Sequence, residues 1–375
     1  MTIKSIIKYF LFWQIAILVV VTIATSAVPL RESDIFLGGG ITRYLSDPLL
    51  YFRSNFDGVH YILISTHGYS YGQQAFFPLY PEIISRFKAI IPDPVVTGFL
   101  ISSVCLIIGL IYFYRLITLD NSPQVAKWAI LALLMFPTSF YFSAVYTESL
   151  LFLLIVLAFY YARTRRPWQA VIFAALAGYT KFIGIFLLPA LLTELYLQNS
   201  TQSFKTLLIK LAPVLLIPSG LFLYMYFLQQ TTGDPLSFYH IQTAFNQQRS
   251  IEIILPYQVF WRYLKMIYTV NQTDPLYLTI WLEFSLGLLF FVLSAISLFK
   301  QRISYALFNL FAFIIPTFTG TLTSLPRYVL ICFPIFILFG RFLESKPKNR
   351  FLFFGIFAVL WIVFLSLFSR GYWVA

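Results

Sequence analysis

The chain has 375 residues, of which 59% are hydrophobic and only 11% charged, and its mean hydropathy is +0.81. A soluble domain carries about 25% charged residues, so this chain cannot cover a globular surface with polar groups, and lipid must be its solvent over most of its area. The net charge of +12 does not point to nucleic acid, because the basic residues fall between apolar segments in the positive-inside pattern of a multi-pass membrane protein.

In chain order, the first apolar run covers residues 9–28 behind Lys4 and Lys8. At about 20 residues it is long enough to cross a hydrocarbon core about 30 Å thick. A signal peptide has a shorter apolar region, about 7–15 residues, so the run reads as an uncleaved anchor with its basic flank in the cytoplasm. Residues 30–94 then form a long external loop, with a short interfacial helix predicted over 82–90. Further spans are predicted at 95–117, 125–144, 149–162, 168–180, 182–197, 206–228, 276–299, 303–319, 327–340 and 351–368, separated after the seventh by a second external loop at 229–275. The expectation is a single all-α polytopic domain over residues 1–375 with about eleven transmembrane helices. Short basic segments such as Arg163, Arg165, Arg166 and Lys346, Lys348, Arg350 fall on the cytoplasmic side. Cys105 and Cys332 lie inside predicted spans and read as buried thiols. No Cys/His cluster has zinc spacing and no Gly-rich phosphate motif stands out, so no metal and no cofactor is expected.

The first external loop departs from this apolar background. It reads Asn55-Phe-Asp-Gly-Val-His-Tyr-Ile-Leu-Ile-Ser-Thr-His-Gly-Tyr and then Ala75-Phe-Phe-Pro-Leu-Tyr-Pro. Asp57, His60, Tyr61 and Ile64 follow the i, i+3, i+4, i+7 spacing of one helix face. An amphipathic surface helix would show the same spacing. His67 follows in the same loop. The predicted topology places Glu148, Lys181, Asp234, His240, Arg327 and Tyr328 on the external side as well. Each has an ordinary alternative. Glu148 suits a helix start, Lys181 and Arg327 can snorkel to headgroups, and Asp234 before Pro235 can start a turn. Ionisable groups at membrane depth are nevertheless functional by default, and their collection on one face points to a shared external cavity.

The chemistry such a set can do is restricted. One acid, two or three cations and many aromatics suit transfer of a group from a phosphate leaving group. The cations would stabilise the developing phosphate charge, and the acid would take a proton from the attacking hydroxyl. Residue types alone reach a reaction type but not a substrate.

The motifs resemble those of the PIG-V family of mannosyltransferases. The match lies in Phe56-Asp-Gly-Val-His-Tyr, His67-Gly-Tyr and Ala75-Phe-Phe-Pro-Leu-Tyr-Pro, followed in order by Tyr146-Thr-Glu-Ser-Leu, Gly233-Asp-Pro-Leu-Ser-Phe and Pro326-Arg-Tyr-Val-Leu. Phe56 stands where Trp often precedes the acid, and Ser65 where Ala is usual. The resemblance implies a GT-C-type glycosyltransferase fold and an active site facing away from the cytoplasm. It implies an inverting transfer of mannose from a polyprenyl-phosphate donor to a lipid or glycan acceptor, without a metal. It implies Asp57 as the base. His60, Tyr61, His67, Glu148, Lys181, Asp234, His240, Arg327 and Tyr328 are the expected substrate-binding residues. The membrane would be the plasma membrane in a prokaryote and the endoplasmic reticulum in a eukaryote. The rival reading is a transporter or flippase of lipid-linked sugars. Paired interrupted helices related by an internal repeat would mark a transporter, and the sequence has no such repeat.

Overall fold

The computed structural model describes residues 2–31, 36–242, 249–250 and 252–374. Residues 32–35, 243–248 and 251 of the two expected external loops lie outside the described residues. Among the described residues the chain is helical, with no strand.

The helix Glu148–Arg163 occupies the middle. Its sequence is apolar on all sides, and almost every residue from Glu148 to Phe159 is buried. A helix without a polar stripe has no face to give to water and belongs inside a bundle. It packs against Pro94–Ile117, Pro167–Thr180 and Leu187–Asn199. The N-terminal helix Ile3–Ala27 is capped by the Thr2 hydroxyl and packs on Pro94–Ile117 and the C-terminal helix Arg350–Ser369. Its other face exposes Leu11, Phe12, Ile15, Val19 and Ile23, as a lipid-facing surface should. The two cysteines are free and buried, as their positions predict.

Among the described residues six helices are long and apolar enough to cross a membrane, and a bent pair brings the number to seven. That is short of the eleven spans expected. The difference lies in proline-interrupted segments and in helices that are short. The segment expected at 125–144 is a helix only over Pro123–Leu134, and that expected at 327–340 is Leu325–Ile331 joined to Phe333–Ser345 at 76°. Pro334 follows the bend, and a proline ring there removes a backbone donor. The helices Pro167–Thr180, Glu148–Arg163 and Ile303–Thr317 are 14 to 16 residues long, about 21–24 Å at 1.5 Å per residue. They are too short to span about 30 Å of hydrocarbon alone.

A charged clasp closes the end of the bundle opposite Glu148. Arg163 donates to Asp120 Oδ1 at 2.7 Å and pairs with Glu194 at 3.3 Å. Glu194 is fully buried and also accepts from Arg302 at 3.0 Å and from the Ser304 hydroxyl at 2.6 Å. Every acid in this clasp has its cation, so it holds the helices in register and carries no unspent charge.

Candidate active site

The loop before Asp57 is held by long-range backbone contacts. Asn55 Nδ2 donates to the Phe368 carbonyl at 2.9 Å, Phe56 N–H to the Phe36 carbonyl at 2.8 Å, and the Tyr146 hydroxyl to the Asn55 carbonyl at 2.8 Å. Phe56 adopts φ +56°, a conformation costly for a bulky residue. Its ring packs edge-on to Trp373 with centroids 5.1 Å apart. The turn leads into the helix Asp57–His67, as the spacing predicts, with Asp57 in its first turn. A carboxylate there gains from the helix dipole. Gly58 lies under Tyr146 and the Arg53 carbonyl, where a Cβ would sit 3.4–3.5 Å from both.

Arg327, 270 residues further on, meets this helix. Its Nη1 donates to Asp57 Oδ2 at 2.6 Å, and its Nε lies 3.4 Å from Glu148 Oε1 without hydrogen-bond alignment. The same Glu148 oxygen accepts from Lys181 Nζ at 3.0 Å. Four residues from four elements thus form one chain of charge, Asp57–Arg327–Glu148–Lys181. Arg327 is 4% and Glu148 2% exposed, while Asp57 keeps 23% of its side chain open. Tyr141, Tyr146 and Tyr328 surround the guanidinium at 5.1–5.6 Å, and Tyr328 also faces the Lys181 ammonium at 4.4 Å. Burial pushes the Asp57 carboxyl up, but Arg327, His60 and Lys181 outweigh it and hold it below the usual carboxylate range. Burial holds the His60 imidazole below its usual value against the pull of Asp57. His60 stacks on Phe76 at 4.5 Å. Burial, with Glu148 and Asp57 nearby, keeps the Tyr61 phenol protonated.

Ser324, the residue before the Leu325–Tyr328 turn, has φ +69°. Of the three non-glycine residues with positive φ among the described residues, two therefore adjoin the strands of chain that deliver Asp57 and Arg327. Strain of this kind, about 1–3 kcal/mol each, persists where the surroundings over-determine a geometry.

Three cavities meet here. A polar throat of about 60 Å³ is lined by Asp57, Tyr61, Lys181, Arg249, Arg327 and Tyr328. It shares Asp57 with a cavity of about 680 Å³ walled by His60, Arg262, Tyr263, Glu283, Thr321 and Trp373. It shares Lys181, Arg249 and Tyr328 with a groove of about 360 Å³ lined by Phe77, Phe182, Phe186, Phe238, Ile253 and Phe318. The throat thus adjoins an apolar groove on one side and a roomier mixed cavity on the other.

Asp57, His60, Tyr61, Glu148, Lys181, Arg327 and Tyr328 are brought together in this way. His67 is exposed and contacts Thr66 Oγ1 at 2.8 Å, and it lines none of the three cavities. Asp234 and His240 pair with each other at 2.7 Å, each well exposed, and also line none of them. Two site residues were not foreseen. Arg249 donates to Gln242 and lies 3.5 Å from Ser324 Oγ. No carboxylate among the described residues pairs with it. Glu283 lies inside a membrane-spanning helix, where a lone acid is itself a signal. Among the described residues no group of three or more His, Cys, Asp or Glu could hold a metal ion.

Residues 3–233, more than half of the chain, match the family model described as Mannosyltransferase (PIG-V). The matched stretch contains Asp57, Glu148 and Lys181, and ends before Arg249, Glu283 and Arg327. Comparison with curated proteins and with solved structures gives no match.

Proposed function

The chain belongs to the PIG-V mannosyltransferase family and is a membrane glycosyltransferase, and from that premise we propose that its donor is a polyprenyl-phosphate mannose. Its acceptor is a hydroxyl of a lipid or glycan, and it works at the external or lumenal face by inversion at the anomeric carbon. The observation that carries this reading is the charge lining the throat, taken with Glu148, the ion-pair partner of Arg327 and Lys181. Lys181, Arg249 and Arg327 meet two carboxylates, Asp57 and Glu148, which leaves one positive charge over. A sugar phosphodiester carries one negative charge and balances it. A diphosphate carries more and would leave buried negative charge uncompensated. The apolar groove beside Lys181 and Arg249 suits the prenyl chain, and the larger cavity beside Asp57 suits the acceptor.

The charges then move in a connected way. The acceptor hydroxyl oxygen bonds to the anomeric carbon, and the bond from that carbon to the phosphate oxygen breaks. The phosphate keeps the electron pair and gains a second negative charge. The hydroxyl proton passes to Asp57, whose free edge faces the cavities. Asp57 loses its charge as the phosphate gains one, so Arg327 can exchange one anionic partner for the other without crossing the site. Preorganised cations of this kind act where charge develops. The reading invokes no metal and no cofactor.

The test supplies the reconstituted protein with polyprenyl-phosphate mannose, polyprenyl-diphosphate mannose and a nucleotide-diphosphate mannose in parallel. Transfer from the monophosphate alone is expected, with or without a chelator. Transfer from the nucleotide sugar would overturn the donor assignment. For the working face, a cysteine at exposed Ser70 should react with an impermeant thiol reagent in intact cells, and one at exposed Ser345 should not.

A further inference from the structure

We infer that Glu283 reads the acceptor, and that it selects an uncharged, hydroxyl-rich head group. The inference rests on the transferase reading above but concerns a different residue lining the larger cavity. Glu283 sits about 10 Å down the membrane-spanning helix Leu276–Lys300 at 1.5 Å per residue, and it is 4% exposed. A lone acid at such a position needs a strong reason to be there.

Half of that reason is visible. The Tyr263 hydroxyl donates to Glu283 Oε2 at 2.6 Å and accepts from the Leu322 N–H at 3.1 Å. Tyr263 is thereby fixed, with its one proton committed to Oε2. The Ser324 N–H is directed at the carboxylate and Arg249 attracts it from a distance, but Oε1 has no hydrogen bond of full geometry. None of the ion pairs among the described residues involves Glu283. A buried carboxylate oxygen left unpaired is costly. A purely structural Tyr–Glu bond does not need a cavity against it. Here the carboxylate lines the same 680 Å³ cavity as Asp57, large enough to hold a sugar.

A carboxylate only accepts hydrogen bonds, so the ligand must donate. A hydroxyl does so, and a sugar offers several. With one hydroxyl at Asp57 for the reaction, others fall to Glu283 and to Thr321 beside it, and Trp373 and Phe56 supply flat apolar faces. An anionic head group would bring like charge against Glu283 and lose affinity.

The test uses octyl α-mannopyranoside and octyl β-glucuronide, probes of equal chain length, with octyl β-glucopyranoside as the control that differs from the glucuronide only by its C6 carboxylate. The unaltered protein should bind the mannoside at least about tenfold more tightly than the glucuronide. Glu283→Gln keeps an oxygen for Tyr263 but removes the charge. It should weaken the mannoside about tenfold, reduce discrimination against the glucuronide, and leave polyprenyl-phosphate affinity unchanged. Tyr263→Phe keeps the charge and should preserve discrimination while loosening the mannoside. Equal binding of mannoside and glucuronide by the unaltered protein overturns the inference, as does the absence of saturable mannoside binding. Unchanged mannoside affinity in Glu283→Gln with donor affinity intact overturns it too, and so does a fall in kcat alone. If Glu283→Gln does not fold, the first comparison and Tyr263→Phe decide. A protein that binds the mannoside but not polyprenyl phosphate would instead refute the donor assignment.

Discussion

Asp57→Asn and Arg327→Gln remove opposite halves of one ion pair, and the surroundings make them unequal. In Asp57→Asn the guanidinium loses the 2.6 Å charge-assisted bond but keeps Glu148 at 3.4 Å. Loss of a bond to a charged group costs about 1.5–3 kcal/mol, and the buried cation is still compensated. In Arg327→Gln two carboxylates remain, one of them 2% exposed, with Lys181 the remaining ion-pair partner of Glu148 and none left for Asp57. An uncompensated buried charge costs about 3–5 kcal/mol. Arg327→Gln should therefore melt well below Asp57→Asn in the same detergent. Catalysis should separate the pair differently. Asn keeps the shape of Asp but cannot take a proton, so Asp57→Asn should lose about 10²–10⁴-fold in turnover at nearly normal donor affinity. Transfer from synthetic polyprenyl-phosphate mannose, with melting curves alongside, measures both. If Asp57→Asn turns over within a few-fold of the unaltered protein, the base lies elsewhere. If it melts lower than Arg327→Gln, the charge accounting at the site is wrong.

Arg249→Gln should weaken donor binding by about 1.5–3 kcal/mol with a smaller change in melting than Arg327→Gln, because its hydrogen-bond partners, Gln242 and Ser324, are neutral; equal donor affinity would remove it from the phosphate site. His60 is held neutral, so the unfolded chain takes up a proton first as pH falls through about 6.5; stability should decline below that pH, and His60→Gln should flatten the decline in a melting series. Asp57 is held below its ordinary value, so its contribution is complete above about pH 3.9 and is lost only as pH falls further; the acid limb of the rate profile due to Asp57 should lie below that point. Gly220→Ala would set a Cβ 1.9 Å from the Ala175 carbonyl oxygen, whereas Gly355 has nothing within 4 Å; the first should cost at least about 1–3 kcal/mol in melting and the second close to nothing.

The acids and bases of the site were legible because ionisable residues stand out against apolar sequence. Asp57, Glu148, Lys181 and Arg327 are each conspicuous in that way. Their pairing was not legible. Arg327 looked like a free cation for a phosphate, yet it is spent on Asp57 and Glu148, and no local pattern links residues 270 positions apart. Arg249 sits in a long polar loop, where an arginine is unremarkable, and it became visible only when the throat closed around it. Glu283 was available to the eye, as an acid inside an apolar stretch of 25 residues. A reading that weighs polar residues at span ends does not register it. The number of spans is hard to read from sequence for a related reason. Hydropathy measures how apolar a segment is, and it does not register that Pro334 follows a bend or that the helix from Glu148 is enclosed by protein.

That enclosed helix also sets a depth. Glu148 and Arg163 mark its two ends, about 22 Å apart at 1.5 Å per residue. A hydrocarbon layer is about 30 Å thick. With the arginine clasp at one headgroup level, the acidic end stops several ångströms short of the other, and any tilt makes the shortfall larger. On the proposed lipid-phosphate donor, a charged head reacting beside Glu148 would then dip below the plane of its neighbours. A bilayer's thickness then becomes a variable of the reaction, since a thicker membrane lengthens that descent and a thinner one removes it.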